Sequence, residues 1–400
     1  LNETDQQSLS KSRTSMSKKI RLMEPTFGEV EISAAVEVLR STNVTSGEKV
    51  KQFERSFAPG SVMCNSGSSA NLLAVAALCN PVMGALHPGD EVIVPALSWS
   101  TTVWPLVQHG LIPVIVDINP ETLNIDFAEA ARAIGPRTKA IMPVHVYGNP
   151  CDMDRLMQFK NRQWIVEDCC EALGATWDGK PVGSFGDIGT FSFYFSHHMT
   201  TLEGGLCVSK RKETSDLMRI LRAHGWTRDL EDDSDYRKLN PDIDPRFLFV
   251  NAGYNLRATE LQAAIGLIQY RKLSGFVDTR RKIAARLQEV FGRFGDLFQT
   301  QRELPEARSS WFGFPLVVKD GPSLPHASRI RAHFEENGIE TRPLICGNIA
   351  RQPGMKLWPH RIAGDLKHAD HVMKSGFSIG CHQGMTDGDV DYIETVIRKL

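Results

Sequence analysis

EVIVPALSWSTTVWPLVQHGLIPVIVDI, residues 91–118, decides the fold. Two continuous apolar runs, EVIVPAL (91–97) and IPVIVDI (112–118), flank a segment long enough for a helix. A run without polar alternation suits a strand buried on both faces. AIMPVHV (140–146) and WIVEDC (164–169) repeat the pattern, and SSANLLAVAAL (68–78) has helical periodicity. Strands separated by helix-length segments imply right-handed crossovers, hence a mostly parallel sheet with helices on both faces, an α/β fold. Ligands of such sheets gather at the carboxyl ends of the strands. That rule brings Ser98–Trp99, His145 and Asp168 near one another.

Further along, GTFSFYF (189–195) and GLCVSK (205–210) read as antiparallel strands around FYFSHHMTTLEGG (193–205). Residues 229–246 are charged and broken by proline, and read as a long loop. A helix over 258–273 and a second over about 276–294 follow. From about 308, SSWFGFPLVV, HASRIRAHFEENG, IETRPLI and DVDYIETVIRKL give strand, helix, strand and helix, a small α+β domain. The expected division is an N-terminal disordered tail over 1–22, a large domain over 23–275 and a small C-terminal domain over 276–400. Met16 and Met23 are both candidate starts.

The 400 residues are 42% hydrophobic, enough for a large core, and carry a formal net charge of -1. That balance offers no basic face for nucleic acid and no polybasic patch for a membrane. The apolar runs are too short to span a bilayer, and no apolar signal core opens the chain. The eight cysteines show neither disulfide-like spacing nor a CxxC pair, which points to free thiols in the cytoplasm and to no metal site.

Four motifs could carry chemistry. In CNSGSSANLL (64–73), Ser66-Gly67-Ser68 stands just before a helix, where backbone N–H groups and the helix dipole favour a phosphate. Taken alone it is an ordinary serine cap. In VEDCCEALGA (166–175), Asp168 ends a buried strand and needs a cationic partner such as a protonated pyridine nitrogen, or it caps the next helix. Trp99 in PALSWST (95–101) could stack on a flat ring or belong to the core. Asn255 and Arg257 in GYNLRATELQAA (253–264) could donate to a phosphate or begin a helix.

In this order the motifs resemble those of fold-type I pyridoxal phosphate enzymes. More narrowly they resemble the DegT/DnrJ/EryC1/StrS sugar aminotransferase family, whose wording recurs in HVYGNPCDMD (145–154) and TTLEGG (200–205). The resemblance covers roughly residues 22–400. In that family the cofactor lysine lies three residues before the paired threonines, and here that position is His197. The exchange resembles a branch of 3-dehydratases. Some of these bear a cysteine-ligated iron–sulfur cluster and need a reductase. RAHGWTRDL (222–230), SSWFGF (309–314), RPLICGN (342–348) and GCHQ (380–383) resemble the kind without a cluster, which acts in colitose and lipopolysaccharide O-antigen synthesis.

The resemblance implies a homodimer with shared active sites, pyridoxal or pyridoxamine phosphate as cofactor, and no reductase partner. L-Glutamate would load the amine and leave as 2-oxoglutarate. A nucleotide-linked 4-keto-6-deoxy sugar, GDP-4-keto-6-deoxymannose foremost, would lose its C3 hydroxyl, and ammonia would be released. A CDP- or dTDP-sugar substrate and a non-catalytic relative remain alternatives. His197, unable to form a stable Schiff base, would move protons. Gly67, Ser68 and Ser192 would hold the phosphate, with Asn255 from the second subunit. Trp99 would stack on the ring, Asp168 would face its nitrogen, and Glu171 its 3-hydroxyl or the substrate. His224, Arg228 and Arg342 are candidates for the glutamate carboxylates or the sugar diphosphate. His198 reads as a structural hydrogen-bonder. His382 is a weaker candidate, as is a lid role for 229–246. Lys210 and Lys212 are expected at the surface.

Overall fold

The computed structural model describes residues 19–400. Eight strands form the central sheet: β1 (Ser61–Cys64), β2 (Glu91–Pro95), β3 (Ile112–Val116), β4 (Thr138–Ile141), β5 (Trp164–Asp168), β6 (Ile188–Ser192), β7 (Gly205–Val208) and β8 (Arg361–Ile362). They lie in the order β1-β7-β6-β5-β4-β2-β3-β8. Only β7 runs antiparallel to its neighbours; the remaining pairs are parallel. The chain leaves β2 for β3 on one side and returns to β4 on the other. That reversal opens a crevice at the carboxyl ends of the strands.

The helix Gly67–Cys79 starts where β1 ends and is apolar on almost every side, with Leu73, Val75 and Leu78 buried. It is wedged between β6 and β7 and the helices Ser100–Gln108 and Lys212–Arg222. A helix buried all round needs no polar face. The exception is Asn71, buried and polar, one turn past Gly67.

A second, antiparallel sheet joins Phe298–Thr300, Phe314–Val318, Gly376–Ile379 and Arg342–Pro343. The helices Ala327–Glu336 and Asp387–Ile397 accompany it over a core built on Phe291, Phe314, Phe334 and Phe377. Only two residues of IETRPLI pair as a strand. Met16 and most of the expected tail lie outside the described residues. Ile20 is buried and bridges Ile339, so the chain is docked on the second core from there onward.

Three expectations change. The two helices expected over 258–294 are one, Glu260–Gly292, running unbroken through Ser274 and Gly275. A mid-helix glycine costs about 1 kcal/mol against alanine. Packing of Glu29–Ser41, Glu48–Phe57 and Asp387–Ile397 along this helix outweighs that cost. The strand expected at 140–146 ends at Ile141, because Pro143 has no N–H to donate; Val144 then bridges Asp168. The segment 229–246 holds a short helix, Ser234–Leu239, rather than loop alone. Among the described residues no helix is long and apolar enough to cross a membrane.

Candidate active site

A cavity of about 310 Å³ opens at the carboxyl ends of β2 and β5, and Gly67, Ser68, Trp99, Asp168, Glu171, Ser192, His197 and Arg342 line it. At one end stands the N-terminus of Gly67–Cys79. Ser66 caps it, accepting from the Ser69 N–H at 3.0 Å. Gly67 lies so close to β6 that an added Cβ would sit 2.4 Å from Ser192 Cβ. Gly205 is equally confined, with the Ser66 carbonyl oxygen 2.1 Å from a Cβ there. The two glycines let three backbone segments converge on a patch of free N–H groups and serine hydroxyls, which suits a phosphate.

Asp168 ends β5 with its carboxylate held by donors only. Oδ2 accepts from Asn71 Nδ2 at 2.9 Å and Thr102 Oγ1 at 2.8 Å, and Oδ1 from the Cys170 N–H at 3.1 Å. Asn71 in turn accepts from Thr190 Oγ1 at 2.6 Å. Three donors fix the orientation of this buried carboxyl group, which lines the cavity. Such a group fits a protonated ring nitrogen.

His197 lines the opposite wall. Its Nδ1 is buried without a hydrogen-bond partner among the described residues, a polar atom still free for a ligand. Its ring packs edge-on to Phe312, centroids 4.9 Å apart, and to Tyr194 at 5.8 Å. Burial, then the charges of Arg280 and Arg342, pull its pKa down to about 3, so the imidazole is neutral. Next door, His198 is fully buried and bonds the Ser310 carbonyl through Nε2 at 3.1 Å, the structural part expected of it.

Glu171 accepts from the Tyr147 N–H at 2.9 Å, and Tyr147 takes φ 55° to offer it. Burial chiefly, with Asp168 nearby, raises the Glu171 carboxyl to about 7, while that hydrogen bond and Arg342 oppose the rise. Trp99 is 48% exposed with the Arg342 guanidinium 6.0 Å from its ring, a stacking face open to the cavity rather than a core position.

Three predicted residues stand elsewhere. Asn255, His224 and Arg228 do not line this cavity. Asn255 Oδ1 accepts from Arg257 Nε at 3.1 Å, Arg257 reaches His224 at 3.4 Å, and Arg228 covers Trp226. His145 does not join the site either. It turns away to Glu167 at 3.3 Å, while the Cys151 N–H donates to its other nitrogen. His382 contacts the Arg21 carbonyl. His145, Glu167 and Cys169 cluster closely enough to suggest a metal, but Glu167 already accepts from the N–H groups of Gly183, Phe185 and Gly186. Among the described residues no lysine lines the cavity. Lys210 bonds the Ser184 carbonyl and Lys212 pairs with Asp216, both at the surface.

Asn71, Thr102 and Phe312 belong to the site without having been singled out. The first two carried a signal: each follows a flagged residue by about one helical turn, Asn71 after Gly67 and Thr102 after Trp99. Phe312 lay within SSWFGF (309–314), a stretch noted for its resemblance and not for any role of that ring.

Residues 25–398 match the DegT/DnrJ/EryC1/StrS aminotransferase family. A relative from Yersinia pseudotuberculosis, named GDP-4-keto-6-deoxy-D-mannose 3-dehydratase, is 39% identical over 389 residues, 94% of this chain and 98% of its own. The Escherichia coli GDP-4-keto-6-deoxy-D-mannose-3-dehydratase with bound hydrated PLP superposes with a TM-score of 0.88 at 36% identity, covering 94% of this chain and 99% of that one. A GDP-4-keto-6-deoxymannose-3-dehydratase with a trapped PLP-glutamate geminal diamine matches with the same score and identity, over 94% of this chain and all of that one.

Proposed function

The chain belongs to the DegT/DnrJ/EryC1/StrS aminotransferase family, and from that membership we propose that it is a nucleotide-sugar 3-dehydratase. It removes the C3 hydroxyl of GDP-4-keto-6-deoxymannose, giving GDP-4-keto-3,6-dideoxymannose. L-Glutamate supplies the reducing equivalents and the amine, and leaves as 2-oxoglutarate and ammonia. The water released on condensation and elimination is consumed again in hydrolysis, so none is formed net. One observation carries the reading: the cofactor cavity is lined by a neutral histidine and, among the described residues, by no lysine.

Pyridoxal phosphate, or its amine form, would supply an electron sink for the elimination when bound here. The Ser66–Ser68 turn and Ser192 hold its phosphate. Asp168 would face its ring nitrogen and hold a proton there, oriented by the Asn71, Thr102 and Cys170 donors. Trp99 covers one face.

His197 does the proton work. A neutral imidazole accepts a proton, and once charged beside Arg280 and Arg342 it becomes a strong acid. That acid donates to the departing C3 oxygen. Because histidine forms no lasting covalent bond to the cofactor, nothing on the chain displaces the product, which leaves for hydrolysis in water.

A second copy of the chain completes the site in a homodimer. Asn255, His224 and Arg228 lie outside their own cavity, which suits a role at the partner's. Eight free cysteines, none of them in a disulfide, suit the cytoplasm as the setting.

The test is incubation with pyridoxal phosphate, L-glutamate and GDP-4-keto-6-deoxymannose, with the sugar followed by NMR and ammonia assayed. A 3-deoxy-4-keto sugar and one ammonia per turnover are expected. A 4-amino sugar without ammonia would overturn the reading, and dehydration of CDP- or dTDP-sugars alone would overturn the GDP carrier.

A further inference from the structure

Trp311 adopts φ 51°, the left-handed region, and the four-residue turn around it has every carbonyl taken. Arg281 Nε donates to the Ser309 carbonyl at 2.9 Å, and His198 Nε2 bonds that of Ser310 at 3.1 Å. Arg280 Nη1 donates to those of Trp311 and Phe312, both at 3.0 Å. Arg280 is itself buried, and its remaining described partners are neutral, the Cys381 carbonyl at 2.6 Å and Gln383 Oε1 at 3.3 Å. On the other side the Ser310 and Phe312 N–H groups donate to the Gly148 and Tyr147 carbonyls at 3.0 and 2.9 Å.

Burying an arginine whose partners carry no opposite charge costs several kcal/mol unless its hydrogen bonds are well satisfied. Here the cation goes to hold a strained backbone in one shape. The turn's product is the place of one ring, Phe312, which lines the cavity and meets His197 edge-on at 4.9 Å and 65°. The second ring on His197, Tyr194, is 46% exposed and less firmly held. A lysine joined to a cofactor is oriented by that bond. His197 has no such bond, and its Nδ1 has no hydrogen bond to choose a rotamer.

We infer that Phe312 is a positioning residue for dehydration: the turn Ser309–Phe312, pinned by Arg280, Arg281 and His198, holds its ring against His197 and fixes where the imidazole points. The inference rests on the proton role proposed above for His197. It assigns Phe312 no contact with the reacting atoms.

The experiment compares the parent with Phe312→Leu and Phe312→Tyr, in crystals without added cofactor and in steady-state kinetics with it. In the parent, His197 occupies one rotamer. In Phe312→Leu it turns or splits between rotamers, kcat for dehydration falls about tenfold or more, and KM for the nucleotide sugar stays within about twofold. Phe312→Tyr keeps the ring and restores both the rotamer and kcat. Arg280→Lys, which keeps the charge but not the fork, loosens Phe312 and lowers kcat in the same direction. His197 unmoved in Phe312→Leu overturns the inference, as does a loss confined to KM or a Phe312→Tyr variant no better than leucine. If the parent fails to dehydrate, the functional reading falls, while the rotamers still decide whether Phe312 places His197.

Discussion

His197 and His198 are the same residue type at adjacent positions, under the same Arg280 charge, and they do opposite things. His198 is fully buried and spends its Nε2 on the Ser310 carbonyl. Both Nδ1 atoms are buried without a partner among the described residues, but of the two only His197 lines the cavity. Glu167 and Asp168 repeat the contrast one strand away. Successive strand residues point to opposite faces, so Glu167 turns to three backbone N–H groups and His145, while Asp168 turns to the cavity. Each pair puts one group into holding the scaffold and leaves the other for chemistry. Within each pair the group that lines the cavity is the one left for chemistry, and four substitutions put that to the test.

The largest effect belongs to His197. His197→Asn keeps size and polarity but cannot move a proton near neutral pH, so kcat for dehydration should fall about a thousandfold. Half-transamination of the cofactor by glutamate, followed by absorbance, should fall with it. If dehydration persists at the parent rate, His197 is not the base.

Glu167→Gln attacks the scaffold partner of the acid pair. His145 and the Gly186 and Gly183 amides hold this carboxyl below its ordinary range against the cost of complete burial. An amide –NH₂ would face one of those N–H donors, leaving two donors opposed. The loss of stability should be about 3 kcal/mol, read as a lower urea midpoint, with kcat of the folded fraction unchanged. Asp168→Asn should lose cofactor affinity, which Glu167→Gln keeps. Removing an adjacent carboxylate shifts a cationic partner's pKa by about 1–3 units. Affinity for pyridoxal phosphate should therefore drop about tenfold to a hundredfold in a spectroscopic titration. The urea midpoint should fall as well, because the new –NH₂ meets the Asn71 and Thr102 donors or the Cys170 N–H. If Asp168→Asn unfolds the protein while Glu167→Gln spares it, the contrast is inverted.

The division of labour was legible only in part. Apolar runs at 91–97, 112–118 and 164–169 have one stable home, a sheet covered on both faces, and the sheet followed from them. Asp168 and Trp99 followed in turn, because carboxyl ends of parallel strands converge. His145 obeyed the same rule in its backbone, donating its N–H to the Asp168 carbonyl, but its side chain left for Glu167. Strand position predicts a neighbourhood and not a direction of aim. Phe312 was beyond reach for a different reason. Its place depends on a left-handed Trp311 and on Arg280 thirty-two residues earlier, contacts that no local pattern announces. Ser274-Gly275 misled because helix breakers act through local propensity, and packing along Glu260–Gly292 prevailed.

The smallest effect separates the histidines by pH. Burial first, then Arg280, hold His198 well below its ordinary pKa, so the folded protein resists protonating it while the unfolded chain does not. Below about pH 6.5 the unfolded state then binds more protons, and stability falls as pH falls. Glu171 runs the other way. Its carboxyl, raised to about 7, favours the fold at low pH and loses that contribution as pH climbs through 7. Comparing two proteins that differ only at His198 cancels Glu171 and leaves the His198 share. His198→Gln can still donate to the Ser310 carbonyl and should cost about 1 kcal/mol at pH 7.5. Between pH 7.5 and 5.0 its urea midpoint should then fall less than the parent's. Equal falls would mean that His198 does not titrate with unfolding.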